Sequence, residues 1–162
     1  TMRWGLMFMP DPVACLRRIY ESLKPGARFA TTCWAGPAEN PWASLPMMVL
    51  KKYMELPEPQ PGQTGIFAFA DPDRIRSVMT EAGFADIAVD SIDVLWSGAD
   101  SGTDYFQQVI EMAGPLASLY AKLSNQERAA FASEVAQQAD RLSVNETGIA
   151  IPGRTWIAVG SR

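Results

Sequence analysis

The sequence has 162 residues, 48% of them apolar, with 14 lysines and arginines against 18 aspartates and glutamates for a formal net charge of -4, and it contains no histidine. An acidic balance with no basic run longer than Arg17-Arg18 argues against an electrostatic grip on nucleic acid, and the lack of histidine removes the commonest metal ligand and the commonest general base together. No apolar run approaches the roughly 18 residues that a spanning helix needs, so the expectation is a soluble, cytoplasmic, single domain over residues 1–162, with no membrane span, no metal site, and Cys15 and Cys33 as reduced thiols.

The chain opens inside a dense apolar run, Met2 to Met9, which reads as a strand. Asp11-Pro12 supplies a cap and a first-turn proline, and Val13, Leu16, Tyr20 and Leu23 then recur at helical spacing until Lys24-Pro25-Gly26 ends the pattern. Ala27 to Trp34 has the length and β-branched, aromatic content of a strand. Strand, helix, turn, strand points to a parallel sheet.

Asn40-Pro41 is placed to cap a second helix carrying Trp42, Leu45, Val49 and Tyr53. Residues 56–65, with prolines at 57, 59 and 61, read as a loop. Asp71-Pro72 repeats the cap-plus-proline device before the stripe Ile75, Val78, Met79, Ala82, and Gly83 ends it. Ile87 to Trp96 follows as a long strand. Helices are then expected over Thr103 to Met112, from Gly114-Pro115 to Lys122, and from Ser124, where Ser124 and Glu127 have capping-box spacing. Two short strands, Gly148 to Pro152 and Thr155 to Val159, close the chain.

Five blocks in this order, MRWGLMF (2–8), LKPGARFATTCW (23–34), ENPW (39–42), FAFADPDRIRSVMTEAGF (67–84) and GIAIPGRTWIAV (148–159), resemble the class I S-adenosylmethionine-dependent methyltransferases of the ubiquinone/menaquinone-biosynthesis type. The resemblance implies an α/β fold, the C-terminal half of a Rossmann-like methyltransferase sheet with flanking helices and a helical insertion. Met2 to Phe8, Ala27 to Trp34, Ile87 to Trp96 and the closing segment would be strands four to seven, the last antiparallel between five and six. It further implies methyl transfer to a small hydrophobic or quinone-like acceptor, with S-adenosylmethionine as cofactor of the complete fold. The cofactor's glycine-rich turn and ribose-binding acid would precede this stretch, and no two glycines here stand two apart. This chain alone is therefore expected to bind no cofactor and to be inactive.

Methyl transfer at a sulfonium needs alignment and a dry, aromatic-lined pocket more than a dedicated nucleophile. In the resemblance, Arg3, Trp4 and Gly5 end the fourth strand, and Trp34, Asn40 and Trp42 follow the fifth on the same carboxyl edge, where open α/β sheets gather ligands. Phe67 and Phe69 lie in a segment that could fold over the substrate. Core packing accounts equally well for Trp4, Trp34 and both phenylalanines, and Glu39, the one carboxylate that could serve as a base here, is more often a solvated acid. Asp71 and Asp73 are read as a cap and a dipole partner rather than a paired-carboxylate site. The partners expected are a small-molecule acceptor and either a second copy or an N-terminal half. The competing reading is a non-catalytic oligomeric or apolar-ligand-binding module.

Overall fold

The N-terminal apolar run is not one strand. In the computed structural model, which describes residues 1–57 and 62–162, β1 covers Met2–Arg3 only, and a 3-10 turn, Leu6–Phe8, follows. Trp4 ends the strand because its backbone is left-handed, φ +51, which costs a non-glycine residue roughly 1 to 2 kcal/mol. The run is apolar for another reason: the 3-10 turn sends Leu6 and Met7 into the core, 0% and 1% exposed, and leaves Phe8 54% exposed.

α1 spans Pro12–Ser22, with the Asp11 carboxylate accepting from Ala14 N at 2.8 Å. β2 is Arg28–Trp34, α2 is Pro41–Leu50 and α3 is Pro72–Glu81, where Asp71 accepts from Asp73 N and Asp73 pairs with Arg76 at 3.5 Å. The cap reading of both aspartates therefore holds. β3 runs Ala85–Ala99, α4 Gly102–Met112, α5 Gly114–Tyr120 and α6 Asn125–Leu142, and both bonds of the Ser124–Glu127 capping box are present. The chain closes on one strand, β4, Ile149–Ser161, where two were expected. β4 runs unbroken through Pro152-Gly153, and Pro152 is exposed. Of the loop expected over residues 56–65, positions 58–61, with Pro59 and Pro61, lie outside the described residues.

The sheet order is β1-β2-β4-β3. β1 pairs parallel with β2, Arg3 opposite Thr32, and β2 pairs antiparallel with β4 from Arg28 opposite Ser161 to Trp34 opposite Thr155. Gly160 lies against Ala85 and Arg154 bonds Asp93, so β3 and β4 also run in opposite directions. β1, β2 and β3 are thus parallel, with β4 reversed between the last two. This is the order and direction the sequence led us to expect.

The described residues gather into two compact units: residues 1–39, 62–93 and 154–162 form the first, residues 40–57 and 94–153 the second. In the first, Phe29, Thr31 and Cys33 of β2 are buried while Ala30, Thr32 and Trp34 alternate on the other face. Phe29 and Cys33 join Leu16, Ile75, Val78, Met79 and Phe84 in its core, each large side chain worth about 1.5 to 3 kcal/mol of burial. The second unit has its own core, built from Leu45, Val49 and Leu50 of α2, Tyr105 and Phe106 of α4, Phe131 and Val135 of α6, and Ile149 and Ile151 of β4.

α2 contains a proline at position 46, which has no N–H to give the carbonyl four residues earlier, that of Trp42. The fully buried Tyr105 supplies the donor instead: its hydroxyl bonds Trp42 O at 2.5 Å. Burial pushes the Tyr105 hydroxyl well above the usual tyrosine range, so it stays a donor.

Candidate functional site

In the first unit, the left-handed turn at the end of β1 folds Trp4 back over β2. Trp4 N bonds both the carbonyl and the hydroxyl oxygen of Thr32, each at 3.1 Å. The indole lies flat on Trp34, ring centroids 4.5 Å apart and planes 9° from parallel, within the range of favourable stacking. Its Nε1 donates to Thr155 Oγ1 at 3.0 Å, and that hydroxyl donates to Cys33 O at 2.8 Å. The Arg3 guanidinium sits over the Trp4 ring at 5.2 Å. Both tryptophans are half-buried and Arg3 is exposed. Gly5, next in line, has the Met2 side chain 3.0 Å from where a Cβ would stand.

Beyond β2, residues 35–39 form a closed loop. Ala35 N bonds Arg154 O at 3.1 Å, Glu39 N bonds Gly36 O at 3.1 Å, and Glu39 Oε2 accepts from Gly36 N at 3.1 Å. The other Glu39 oxygen faces Arg154 at 3.4 Å, and Arg154 Nε donates to Asp93 at 2.8 Å. The hydrogen bond and charge of Arg154 hold the Asp93 carboxyl below the usual carboxylate range, and Asp93 in turn raises the guanidinium. Glu39, the carboxylate that could have been a base, is a clasp for this loop.

Phe67 is half-buried in the turn-rich segment before α3, whereas Phe69 is 1% exposed in the core, with the Arg74 guanidinium 4.7 Å over its ring. Cys33 is buried and its thiol is pushed up to about 12 by desolvation.

Asn40 and Trp42 belong to the second unit. Asn40 makes no cap bond to the helix it precedes; its side-chain oxygen accepts from Trp42 Nε1 at 3.1 Å. A Cβ on Gly153 would stand 2.8 Å from that oxygen and 2.9 Å from the indole nitrogen, so this pair packs only against glycine. Trp42 stacks with Trp96 at 6.4 Å, and Trp96 meets Tyr105 edge-on at 5.0 Å. A shallow cleft of about 300 Å³ in this unit is lined by Thr103, Phe106, Ala132, Ser133, Ala136, Gln137 and Asp140; it shares no residue with the candidates.

The structure thus brings Arg3, Trp4 and Trp34 into direct contact and joins Asn40 to Trp42, but it places Phe69 in the core. Thr155, Arg154 and Tyr105 escaped the sequence reading. Pro46 inside a helical pattern was the one signal that a neighbouring carbonyl needed an outside donor.

Both oxygens of Glu39, at the exit of β2, are committed, one to Gly36 N and the other to Arg154. Among the described residues there is no group of three histidine, cysteine or carboxylate side chains placed to hold a metal ion, and no helix is long and apolar enough to cross a membrane.

No family profile matches the sequence, and no curated protein matches it. Among solved structures, the chain is similar to the candidate methyltransferase BH2331 of Bacillus halodurans, with 12% identity, 98% of this chain and 66% of that one covered, and a TM-score of 0.47. It is similar to YcgJ of Bacillus subtilis, with 10% identity, coverage of 99% and 61%, and a TM-score of 0.44. It is also similar to Haemonchus contortus phosphoethanolamine N-methyltransferase 2 in complex with phosphomonomethylethanolamine and S-adenosylhomocysteine, with 15% identity, coverage of 99% and 32%, and a TM-score of 0.40. The chain therefore spans between 32% and 66% of the length of these structures. The scores describe partial resemblance, and the fold rests on the strand order and pairing themselves: an α/β chain with a mixed four-stranded sheet, β4 reversed between two parallel strands.

Proposed function

We propose that this chain is the C-terminal portion of a class I S-adenosylmethionine-dependent methyltransferase domain, and that the complete protein methylates a small hydrophobic or quinone-like acceptor. The observation that carries the reading is the sheet order β1-β2-β4-β3 with β4 antiparallel, taken with the five sequence blocks that predicted it. In this reading Arg3, Trp4, Gly5, Trp34 and Phe67 form the acceptor side of the pocket in the first unit. Asn40 and Trp42 hold a rigid indole in the second unit, and Phe69 supports Phe67 from the core. The bound cofactor would supply the methyl group. The residues here would align and dehydrate the acceptor.

Titration calorimetry tests the cofactor half of the proposal. The chain of residues 1–162 is expected to bind S-adenosylmethionine weakly or not at all, while the protein as its gene encodes it binds the cofactor and transfers labelled methyl groups to a panel of quinols and phenols. Absence of both binding and transfer in that protein would leave the apolar-ligand-binding module as the better reading. The proposal also includes assembly, either with a second copy or with an N-terminal half, because β1 stands at a sheet edge where Arg3 is the sole charge. Sedimentation that shows only a stable 17.7 kDa monomer would count against it.

A further inference from the structure

We propose that the uncovered face of the first unit's sheet is a contact between two copies of this chain, joined about a two-fold axis that runs along the strands. The contact is independent of methyl transfer and rests on the first unit alone.

Helices cover the sheet on one side. Phe29 and Cys33 of β2 point into a core that Leu16 of α1 and Ile75 and Met79 of α3 close. The residues between them point the other way. The register sets Ala30 opposite Val159 and Thr32 opposite Ile157, and residues directly opposite on paired strands share a face. Ala30, Ile157 and Val159 are half-buried, yet they join the core of neither unit. On β3, Ile87 and Val89 pack into the first unit's core, so alternation sends Ala88, Asp90 and Ile92 to the open side, where Ile92 is 45% exposed. Sheets with parallel strands ordinarily carry a layer on each face, and an apolar surface rimmed by charges marks an interaction site.

The charges at the two edges of this face select its occupant. Arg3 pairs with Thr32, and because Met2 packs into the core, Arg3 stands on the open side at the β1 edge. Asp90 stands there at the β3 edge: Gly160 lies against Ala85 and Arg154 bonds Asp93, which brings Asp90 level with Ile157. Arg3, Thr32, Ile157 and Asp90 thus make one row across the sheet, a cation at one end and an anion at the other. Both charges are exposed, and among the described residues neither is in an ion pair.

Turning a second copy over about an axis parallel to the strands reverses this row. Each copy's Arg3 then comes over the other's Asp90, and the apolar centres of the two faces, Ala30, Ile157 and Val159, meet between them. An axis across the strands would instead bring like edges together, Arg3 toward Arg3 and Asp90 toward Asp90, which electrostatics disfavours. Sheets packed face to face sit about 10 Å apart, a gap that an arginine and an aspartate span together. The contact is self-complementary and closes as a dimer.

Sedimentation velocity of residues 1–162 at micromolar concentrations tests the proposal. The expected species is a dimer of the 17.7 kDa chain. Ile157→Asp places a charge in the middle of the face, outside the core, and should leave a monomer. Arg3→Asp and Asp90→Arg, each at an exposed site, should weaken association about tenfold or more when made singly, and the double exchange should restore it. Circular dichroism checks that each variant folds, and the exchange at two exposed positions decides the matter even if Ile157→Asp does not fold. A wild-type monomer, as expected if a helix or another protein covers this face, overturns the proposal. So does a dimer that survives Ile157→Asp, as strand pairing at the β1 edge would, or a double exchange that fails to restore association. None of these results bears on methyl transfer, which cofactor binding by the protein as its gene encodes it decides separately.

Discussion

Replacing Tyr105 by phenylalanine should reveal what Pro46 removes from α2. In a regular helix the N–H of residue 46 would bond the carbonyl of residue 42; proline has no hydrogen to give, and the Tyr105 hydroxyl occupies that acceptor at 2.5 Å. Phenylalanine keeps the buried ring, its edge contact with Trp96 included, and removes only the donor. The hydrogen bond joins two groups inside the second unit's core, so its loss should cost about 1 to 2 kcal/mol. Pro46→Ala restores a backbone donor four residues after Trp42. In that background Tyr105→Phe should cost no more than about 0.5 kcal/mol, a coupling of roughly 1 kcal/mol between residues distant in sequence. Urea unfolding of the four proteins, followed by circular dichroism, measures the cycle. If Tyr105→Phe costs the same with proline or alanine at 46, within about 0.3 kcal/mol, the proline is not the reason for the tyrosine.

Gly102 opens α4 where α6 passes closest: a Cβ there would stand 2.0 Å from Ala136 O, and Gly102 N donates to Asp140 Oδ1 at 2.7 Å. Gly102→Ala must push backbone apart and loosen that bond, so it should destabilise by about 3 kcal/mol or more; Gly114→Ala, with nothing within 4 Å, should change stability by less than about 1 kcal/mol. Asp93 should titrate in NMR below the ordinary aspartate value because Arg154 binds its charged form. A depressed folded pKa contributes stability that is present above the unfolded value and lost as pH falls through the folded one, so the contribution fades in acid, and Arg154→Gln should return the titration to normal. A thiol reagent near pH 8 should label the partly exposed Cys15 in the native protein but reach Cys33, which is fully buried with its thiol pushed up to about 12, only on unfolding.

The helix boundaries, β2 and much of β3 were legible in the sequence because local chemistry sets them. Asp11, Asp71 and Ser124 each accept the backbone donor that their position predicts, and the strand order followed from the resemblance of five blocks. The sequence also singled out Trp4 and Trp34, which stack on one another, and Asn40 and Trp42, which share a hydrogen bond. Local pattern could not tell that the run from Met2 to Phe8 breaks at Trp4, because a stretch that is apolar but for Arg3 looks the same whether its side chains alternate along a strand or dive into a core through a 3-10 turn. Nor could it show that Asn40 gives its side chain to an indole instead of a helix end, that Glu39 is held by Arg154 from 115 positions away, or that Thr155 fastens Trp4 across 151. Those assignments are made by which groups the sheet register brings within 3 Å or so of one another, a quantity that no window along the chain contains.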